Sequence, residues 1–541
     1  MTDDKKPAQP TTQSGLPLKP VYTPDDLKDH DYAGELGDPG AFPYTRGRRL
    51  VTGGGTWIHQ ELSGEGDPKR SNEQFRYLLS KGTMGLDVIG DTPTMAAMDP
   101  DHPYSRNAVG TQGVSLCTWS DYADLFAGIP LDKITVSMSL QPAFAIAGVY
   151  MAAKSQGYDP KLLRGSTIQP LFYCEDCGYA THMPFKLRLR LASDSIAFAA
   201  REMPKFHAFL EDTYYISDGG LDAVEEMALG FIEIRYVVRD LIKRGLEVDA
   251  FAPRIAILLN AHMDFFETVA KVRATRRLFA RMMKEEFGAT DPRSLAVNIT
   301  SHTSGLSLTA QQPINNVVRG TSQALSLAMA GVQALEISTF DEAYRTPSAE
   351  AHEVGLRTQQ IIQLETGVGR VNDPLGGSYF IESLTDELER RIRAMVDEIE
   401  AAGDPAQLAE EGYFRQIFVN AMERYARQVA DGSLQKVGLN AFQVEAHEDT
   451  LLKDVAQKKI APARARIDVV ETHRRTRDAA RCQAALASIR ADGQDERVNI
   501  ISSIIAASEA GATMGEIAGV LREAYGAPYD PFGAIASPLA A

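Results

Sequence analysis

Short apolar stretches with the composition of β-strands alternate with long amphipathic stretches along most of this chain. Residues 134–140 and 255–260 are typical of the first kind, whereas residues 221–245 and 265–287 place apolar side chains three and four positions apart, as a helix requires. Strands that alternate with helices usually form a parallel sheet, because a helix must carry the chain back before the next parallel strand can start. The alternation therefore predicts an α/β fold.

About eight such strands are expected, and eight strand-helix units predict a (β/α)8 TIM barrel. The predicted strands are residues 84–89, 113–116, 134–140, 167–172, 207–216, 255–260, 295–301 and 334–340. The clearest helices are residues 221–245, 265–287, 315–330 and 349–365. Since a barrel of this kind carries its reactive groups after the strands, functional residues are expected in segments 90–94, 214–215, 301–305 and 339–342.

The two ends of the chain differ from the barrel region. Residues 1–20 are rich in Asp, Lys, Pro, Thr and Gln, which predicts a disordered tail. Residues 21–49 carry aromatic and apolar anchors between Pro, Gly and Asp, which predicts an extended N-terminal arm. We assign the barrel to residues 50–403 and a helical C-terminal extension to residues 404–541.

Charge and hydropathy exclude several classes of function. A formal net charge of −16 disfavours nucleic acid binding, although it leaves room for a local basic pocket that holds a phosphorylated ligand. The longest apolar stretches, such as residues 254–261, are far shorter than the roughly 20 residues that cross a bilayer, and no apolar signal segment starts the chain. We expect no nucleic acid, no membrane and a cytoplasmic location.

Four cysteines in 541 residues favour a reducing compartment over a disulfide framework. Cys174 and Cys177 form a Cys-x-x-Cys pair, and His182 follows five residues later, so the three could ligate zinc or the pair could be redox active. No second cysteine pair completes a zinc site. We interpret them as ordinary reduced cysteines and predict no metal.

Eight longer motifs follow one another between about residues 17 and 400. They are Leu-Lys-Pro-Val-Tyr-Thr-Pro-Asp-Asp-Leu at 18–27, Phe-Pro-Tyr-Thr-Arg-Gly at 42–47, Met-Pro-Lys-Phe at 203–206, Asp-Ala-Phe-Ala-Pro-Arg at 249–254, Thr-Ser-Gly-Leu-Ser-Leu-Thr at 303–309, Asn-Asn-Val-Val-Arg at 315–319, Phe-Asp-Glu-Ala at 340–343 and Asp-Pro-Leu-Gly-Gly-Ser-Tyr at 373–379. In this order they resemble the large chain of the methylmalonyl-CoA mutase family, which includes two-chain isobutyryl-CoA and 2-hydroxyisobutyryl-CoA mutases. The resemblance implies an isomerase whose barrel is threaded by CoA and capped at its C-terminal end by adenosylcobalamin.

The cobalamin domain of that family is identified by an Asp-x-His-x-x-Gly loop whose His ligates cobalt, and this motif does not occur here. We therefore expect no cobalamin-binding domain in this chain. The resemblance instead implies a separate small subunit that shares the adenosylcobalamin, in a heterotetramer built on a homodimer of large chains.

Several residues match the family near the cofactor and the substrate. Glu342 resembles the Glu that holds the adenosyl ribose, Gln169 and Gln333 match family glutamines, and Arg254 matches an Arg of the CoA site. We predict cofactor binding by the first three and substrate binding by Arg254. The alternatives are a helix N-terminal carboxylate for Glu342 and a surface ion pair for Arg254.

Other positions depart from the family. The Tyr that presses on the substrate falls on Leu62, and the Arg that grips the free carboxylate of methylmalonyl-CoA falls near Gly178 or Tyr179. A dicarboxylic acyl group would then lack a partner for its buried charge, which is costly. The resemblance therefore implies a branched or hydroxylated acyl group without a second carboxylate.

The His that binds the thioester carbonyl falls on Tyr215, and a neighbouring Gln falls on His302. A phenol donates a hydrogen bond but carries no positive charge near pH 7, so His302 would restore a nitrogen donor. We predict catalytic roles for Tyr215, His302 and Glu342. In the alternative, His302 is bonded locally by Ser301 or Thr303.

The predicted acyl pocket is larger and more polar than in the family, because Asp87 and Gly90 replace a Ser and a Phe. Asp87 could equally pair with an Arg or Lys outside the pocket. Gln60 stands where an Arg is expected, close to a Thr-Gly-Gly-Gly-Thr run at 52–56 that could cradle phosphate or form a flexible turn. The predicted substrate-binding residues are Gln60, Leu62, Asp87, Gly90, His207, Arg254 and Thr300.

Three functions are compatible with these residues. The first is a heteromeric acyl-CoA mutase, the second keeps the radical chemistry with a carrier other than CoA, and the third is a catalytically silent homologue that scaffolds the cobalamin-binding subunit.

Overall fold

A parallel sheet of nine strands curls into a nearly closed barrel. The computed structural model describes residues 10–51, 57–176, 180–445, 447–449, 451, 453 and 460–539. The strands are β1 (Ile58–Gln60), β2 (Leu62–Ser63), β3 (Gly85–Ile89), β4 (Thr135–Ser139), β5 (Arg164–Ile168), β6 (Phe206–Asp212), β7 (Ile255–Ala261), β8 (Asn298–Thr303) and β9 (Ala334–Glu336).

The first two strands bring the edges of the sheet together. β1 pairs with β9 and β2 pairs with β3, both in parallel, and only Glu61 separates β1 from β2 along the chain. The two short strands therefore act as one first strand that is broken at Glu61. When β1 and β2 are counted as one strand, the barrel has eight strands, so the predicted (β/α)8 barrel is confirmed.

One predicted strand is wrong and one real strand was not predicted. In residues 113–116, only Val114 makes isolated bridges, to Gly66 and Gly90. The other seven predicted strands are present with shifted ends. β1 and β2 were not predicted because their sequence is polar. Their hydrogen-bond partner lies far along the chain, since Gln359 Nε2 donates to the carbonyl of Gln60 at 3.1 Å.

Helices surround the sheet. They are α1 (Pro68–Ser80), α2 (Thr92–Met95), α3 (Trp119–Leu125), α4 (Pro142–Ser155), α5 (Phe185–Glu202), α6 (Thr213–Ser217), α7 (Ala223–Lys243), α8 (Val248–Phe251), α9 (Phe265–Arg281), α10 (Pro292–Leu295), α11 (Asn315–Ala330), α12 (Ala349–Glu365), α13 (Tyr379–Ala402), α14 (Pro405–Glu410), α15 (Tyr413–Asp431), α16 (Ala465–Thr476), α17 (Ala479–Gln494), α18 (Ile500–Glu509) and α19 (Met514–Ala524). The four helices predicted from periodicity correspond to α7, α9, α11 and α12. Among the described helices, none is both long and apolar enough to span a bilayer.

The segments outside the barrel pack on its helices. α18 contacts α4 and α5, and its Ile501 and Ile504 belong to the same buried apolar cluster as the barrel. Near the other end, Leu16 is buried and the backbone N–H of Ser14 donates to the Glu267 carboxylate at 3.1 Å. Part of the predicted disordered tail, residues 1–20, is therefore packed on the barrel. Residues 1–9 of that tail lie outside the described residues.

The predicted arm, residues 21–49, crosses α9 and α13. Its main anchor is Glu35, whose carboxylate lies 2.9 Å from Arg277 and 3.0 Å from Arg281. His30 lies 3.3 Å from Asp386 on α13. These contacts fix the arm beside the N-terminal end of the barrel lumen, which Arg46 and Arg48 of the arm line.

Candidate active site

The lumen of the barrel has two ends, and the predicted site residues divide between them. Because all strands run in the same direction, residues that precede strands lie at one end and residues that follow strands lie at the other. Arg254 and Gln333 precede β7 and β9, whereas Tyr215 and Glu342 follow β6 and β9. We call these ends the N-terminal mouth and the C-terminal mouth.

The N-terminal mouth is strongly cationic. A cavity of about 570 Å³ opens there, and six basic side chains line it: Arg46, Arg48, Arg49, Arg164, Lys205 and Arg254. Asp373, the carboxylate in this lining, lies 3.1 Å from Arg46. No described carboxylate forms an ion pair with the other five cations. In a chain with a net charge of −16, such a concentration of unpaired cations indicates an anion-binding site.

His207 lies in the wall of this mouth and orients one of the cations. Its Nδ1 lies 3.1 Å from the carbonyl oxygen of Arg254, and Asn298 Nδ2 lies 2.8 Å from its Nε2. Burial and the nearby Arg254 and Arg48 lower the pKa of His207 to about 3, so the ring is neutral. Nδ1–H therefore donates to the carbonyl and Nε2 accepts from Asn298, whose Oδ1 accepts from Arg48.

Gln60 and Thr300 line the middle of the same cavity. Gln60 Nε2 donates to Ser137 Oγ at 3.3 Å, and Ser137 Oγ lies 2.7 Å from Ser166 Oγ. The lumen wall here is thus neutral, polar and internally hydrogen-bonded. This wall suits an uncharged, amide-bearing chain more than an ionic group.

Gln333 is separated from the other two residues predicted to bind the cofactor. Its Oε1 accepts from the N–H of Ile299 at 2.8 Å and its Nε2 donates to the carbonyl of Gly331 at 3.0 Å, both at the N-terminal mouth. Gln169 and Glu342 follow β5 and β9 and lie at the C-terminal mouth. One ligand at the C-terminal mouth would therefore contact Gln169 and Glu342 but not Gln333, whose role in cofactor binding stays a prediction.

Three buried side chains meet at the C-terminal end of the lumen. His302 Nε2, on β8, lies 3.3 Å from Asp87 Oδ2 on β3 and 3.2 Å from Glu336 Oε2 on β9. Burial alone would lower the pKa of His302, but Glu336 and Asp87 outweigh it and raise the pKa well above its usual value. His302 is therefore an imidazolium at neutral pH. Among the residues that the structure describes, neither Ser301 nor Thr303 bonds the His302 ring, and no Arg or Lys pairs with Asp87.

Tyr214 packs against His302; it lies in segment 214–215, which the barrel rule singled out, although only Tyr215 was given a role there. The two ring centroids are 4.7 Å apart with the planes at 60°. Tyr214 and Tyr215 both lie on the short helix α6, where successive side chains point about 100° apart. Tyr214 consequently reaches the lumen beside His302, while Tyr215 is 36% exposed at the C-terminal mouth. The run Tyr214-Tyr215 directly after a strand was the only signal available.

Glu342 and Gln169 offer polar groups to a ligand at the C-terminal mouth. Glu342 Oε1 accepts from the N–H of Thr339 at 2.5 Å, and burial raises the pKa of its carboxyl to about 8. Gln169 Nε2 donates to the carbonyl of Ala208 at 2.7 Å, but its buried Oε1 has no partner among the described residues. An unsatisfied buried acceptor costs about 1–3 kcal/mol, so this atom suits a donor from a bound ligand.

Leu62 and Gly90 flank the cluster of His302 and Asp87. Leu62 is the register partner of Asp87 and is partly exposed to the lumen. A Cβ atom on Gly90 would lie 2.7 Å from Leu140 Cδ2 and 3.0 Å from Thr94 Cγ2. The space beside Gly90 is therefore already filled, so the glycine does not enlarge the pocket on its own as the sequence suggested.

Some predicted positions lie outside the described residues, namely Gly178 and Tyr179, the glycine run at 52–56 and Cys177. Cys174 is described and buried. Arg188 Nη1 donates to its sulfur at 2.8 Å, and burial raises the pKa of the thiol to about 12. A thiol with this pKa is protonated and unreactive at neutral pH.

Comparisons with known proteins agree on one family. The family model described as methylmalonyl-CoA mutase matches residues 11–527. The 2-hydroxyisobutanoyl-CoA mutase large subunit of Aquincola tertiaricarbonis is 35% identical over 519 residues, which cover 95% of this chain and 92% of that protein. The methylmalonyl-CoA mutase of Rhizobium meliloti (strain 1021) is 34% identical over 520 residues, covering 95% and 72%. The human mitochondrial methylmalonyl-CoA mutase is 32% identical over 522 residues, covering 95% and 68%.

Proposed function

Because the chain belongs to the methylmalonyl-CoA mutase family, and so is an isomerase, we propose that it is the large subunit of an adenosylcobalamin-dependent acyl-CoA mutase. Its substrate is an acyl-CoA without a second carboxylate, with a branched or hydroxylated acyl group. The reaction is a radical rearrangement in which two groups on adjacent carbons exchange places.

The observation that carries this proposal is the cationic N-terminal mouth. Five unpaired cations there match the phosphate groups of CoA, which form strong charge-assisted hydrogen bonds with Arg and Lys. The cavity volume of about 570 Å³ falls within the range of small-molecule sites. The mouth thus supports CoA as the carrier and weakens the alternative of a carrier without phosphates.

The C-terminal end of the lumen supports an acyl group without a second carboxylate. Asp87 and Glu336 already face His302 from two sides. Since the imidazolium already faces these two carboxylates, it is not free to pair with a further carboxylate, whose charge would be buried beside it without a partner at a cost. A neutral acyl group avoids this cost.

Adenosylcobalamin fits the C-terminal mouth because Gln169 offers an unpaired acceptor there and Glu342 a carboxyl group that burial keeps protonated. These two residues would hold the adenosyl group, and Tyr215 lies exposed at the same mouth. When bound, the cofactor supplies an adenosyl radical that abstracts a substrate hydrogen. The protein's own residues bind the carrier, orient the acyl group and exclude water from it.

We further propose a separate small cobalamin-binding subunit, in a complex of two large and two small chains. The name of one relative supports it, because the protein that is matched over 92% of its length is named a large subunit. The cytoplasmic location expected from the hydropathy of the sequence stays a prediction.

The test is to mix the chain with the small subunit and adenosylcobalamin, and then to add isobutyryl-CoA, 2-hydroxyisobutyryl-CoA or methylmalonyl-CoA. We expect cob(II)alamin and rearranged product with a neutral acyl-CoA, and neither with methylmalonyl-CoA. Turnover of methylmalonyl-CoA would contradict the proposed acyl group. If the complex forms and no CoA ester yields cob(II)alamin, the carrier is different or the chain is a silent scaffold.

A further inference from the structure

We propose that Asp87, His302 and Glu336 bind a divalent transition metal ion at the C-terminal end of the lumen. The ligating atoms are Asp87 Oδ2, His302 Nε2 and Glu336 Oε2, and a ligand in the lumen completes the coordination. These residues are distinct from the Cys-x-x-Cys pair for which zinc was considered. The metal binds to the chain without cobalamin or acyl-CoA.

The register of the sheet brings the three side chains together. His302 and Glu336 are register partners on β8 and β9, so their side chains lie side by side on the same face of the sheet. Thr300, two positions before His302 on the same strand, lines the cavity. Asp87 is the register partner of Ser137, which also lines it. Because only the broken first strand separates β9 from β3, the three residues meet inside the lumen.

The two carboxylates are buried without a cationic side chain from Lys or Arg. Asp87 and Glu336 are each 3% exposed, and no described Arg or Lys forms an ion pair with either of them. Glu336 Oε2, the atom that faces His302, accepts no hydrogen bond from any described residue. In Asp87 the other oxygen, Oδ1, accepts from Ser139 Oγ at 3.4 Å. A buried carboxylate oxygen without a donor is costly, and a bound cation offsets that cost.

The contacts of His302 Nε2 have the length expected between two ligands of one metal. Nε2 lies 3.3 Å from Asp87 Oδ2 and 3.2 Å from Glu336 Oε2, and neither contact is a hydrogen bond. Two ligands at about 2.1 Å from a metal lie roughly 3.4 Å apart in a tetrahedral site and roughly 3.0 Å apart as neighbours in an octahedral site. The two observed distances fall between these values.

Little movement is needed to close the site. One ligating atom of each residue lies within 4.8 Å of those of the other two. Binding must therefore draw the two carboxylates together by less than about 2 Å, given the ligand spacing around a metal. Side-chain rotation provides a movement of this size without a change in the strands.

One nitrogen and two carboxylate oxygens select the class of metal. Mg²⁺ and Ca²⁺ prefer oxygen ligands alone, whereas imidazole suits Zn²⁺ and Fe²⁺. Three protein ligands leave at least one coordination position open, as in catalytic zinc sites and unlike structural ones. Because the three side chains point into the lumen, the open position faces the lumen as well.

The charge of the site determines what the open position takes. In the metal-free chain the proton on His302 offsets one of the two carboxylate charges, whereas a divalent cation replaces this proton and offsets both. A neutral oxygen keeps the metal-loaded site neutral, but a further carboxylate would leave a buried net charge. This step rests on the proposed function: the open position takes the hydroxyl oxygen of a hydroxylated acyl group.

A second proton is the competing explanation. A protonated Glu336 would remove its repulsion with Asp87 without a metal. A protonated carboxyl oxygen donates a hydrogen bond, however, and Oε2 of Glu336 has no hydrogen-bond partner among the described residues. The metal accounts for this oxygen and the proton does not.

The test measures metal binding to the full-length chain. The chain is purified without a metal-affinity step, treated with a chelator and titrated with Zn²⁺ in a calorimeter. The loss of an outer-shell partner alone weakens metal binding roughly 10–100-fold, so we expect Glu336→Gln and Asp87→Asn each to weaken it by at least about 100-fold. Both substitutions preserve the shape of the side chain, and the thermal midpoint without metal checks that both variants fold.

The matched control is Glu211→Gln. Glu211 is also a buried carboxylate in a strand, and its Oε2 also has no partner among the described residues. It packs against Gly230 of α7, on the outer face of the barrel. This variant should bind Zn²⁺ as the wild type does. Equal weakening in all three variants, or none in Glu336→Gln and Asp87→Asn, overturns the site.

The hydroxyl ligand has its own readout. Bound 2-hydroxyisobutyryl-CoA should lower the dissociation constant of Zn²⁺ about 10-fold, since two ligands that contact each other raise each other's affinity. Isobutyryl-CoA should leave it nearly unchanged, and equal effects of the two esters overturn the hydroxyl ligand. If Zn²⁺ binds as expected and no CoA ester binds, the proposed function fails while the metal site stands. If the esters bind and Zn²⁺ does not, the inference is overturned while the proposed function stands.

Discussion

Arg254 carries a positive charge that no described carboxylate balances. Burial and the neighbouring Arg293 lower the pKa of its guanidinium, so keeping the group charged costs free energy. A bound phosphate would offset this cost. We expect Arg254→Gln to weaken CoA binding about 10-fold, which corresponds to about 1.4 kcal/mol, and to leave the thermal midpoint unchanged or slightly higher. Isothermal titration calorimetry with CoA measures this change.

The control for Arg254 is Arg293→Gln. Arg293 is exposed and lies 2.6 Å from its partner Asp291, so its removal should alter CoA binding little. Equal weakening by both variants would mean that only the total charge of the region matters, and would contradict a direct phosphate contact.

Glu342 makes stability depend on pH. Burial raises the pKa of its carboxyl from 4.5 to about 8, so the folded chain keeps a proton that the unfolded chain releases. The free energy of unfolding should therefore fall as the pH rises from 4.5 to about 8, by about 4 kcal/mol from this group. Glu342→Gln removes that term.

Calorimetry at pH 5.5 and 8.5 checks this prediction. The thermal midpoint of the wild type should fall more between the two pH values than that of Glu342→Gln. Glu400→Gln is the control, because Glu400 forms surface ion pairs with Arg235 and Arg239. Parallel pH dependence in wild type and Glu342→Gln would show that the folded state does not hold this proton.

Cys174 should resist alkylation. A thiol whose pKa is about 12 is almost entirely protonated at pH 8, and the thiolate is the reactive form. Mass spectrometry after treatment with iodoacetamide should find Cys174 unmodified in the native chain and modified after unfolding. Rapid modification of the native chain would revive the redox interpretation of the Cys-x-x-Cys pair.

The place of a single residue in the site was predictable from sequence only where the residue lay at the end of a predicted strand. His302 and Glu342 follow predicted strands, so the barrel rule places them at the C-terminal mouth, whereas Asp87 lies inside a predicted strand and was identified only through the resemblance. Glu336 was missed because a carboxylate inside a strand carries no local signal of a partner on β3 and β8. The partners come from segments more than 30 residues away, and only closure of the sheet brings them together.

At the scale of elements, the break between β1 and β2 depends on one side chain of α12. Gln359 is fully buried; its Oε1 accepts from Trp57 Nε1 at 3.1 Å, and its Nε2 donates to the carbonyl of Gln60 and to Glu61 Oε1. Gln359→Ala leaves these buried groups unsatisfied, so we expect a loss of about 2–4 kcal/mol in the free energy of unfolding.

Chemical denaturation measures the effect of Gln359→Ala. The neighbouring Gln360, only partly buried, provides Gln360→Ala as the control, with an expected loss below about 1 kcal/mol. Similar losses in both variants would mean that Gln359 acts only through helix packing and does not hold the broken strand.

The long elements were predictable because their periodicity is local. α7, α9, α11 and α12 repeat apolar residues at helical spacing, and β7 is an apolar stretch that only Asn260 interrupts. Segment 113–116 looked like a strand because it is short and flanked by turn residues, yet only Val114 finds a backbone partner. The secondary structure of a short segment depends on the residues that pack against it in space. The order of residues along the sequence does not show which residues these are.

At the scale of the whole molecule, the C-terminal helices share one apolar core with the barrel. Ile504 on α18 is fully buried in that core. Ile504→Ala should cost about 2–5 kcal/mol and lower a single unfolding transition, because Ile504 belongs to the same apolar core as the barrel. Calorimetry checks the number of transitions. Val469→Ala, at a residue that is 51% exposed, should change little, and a separate early transition in Ile504→Ala would show that the extension is an independent domain.

The separation of the two mouths has a consequence for the size of the ligand. β6 and β7 have seven residues each, so each strand is about 23 Å long at roughly 3.3 Å per residue, and a strand tilt of about 36° makes the barrel wall about 19 Å tall. A ligand can reach the cations at one end and His302 near the other only if its phosphates and its carbonyl are spaced to match. The barrel therefore selects its ligand by length as well as by chemistry. A truncated thioester cannot contact both ends of the lumen, and an extended one places its carbonyl beyond His302.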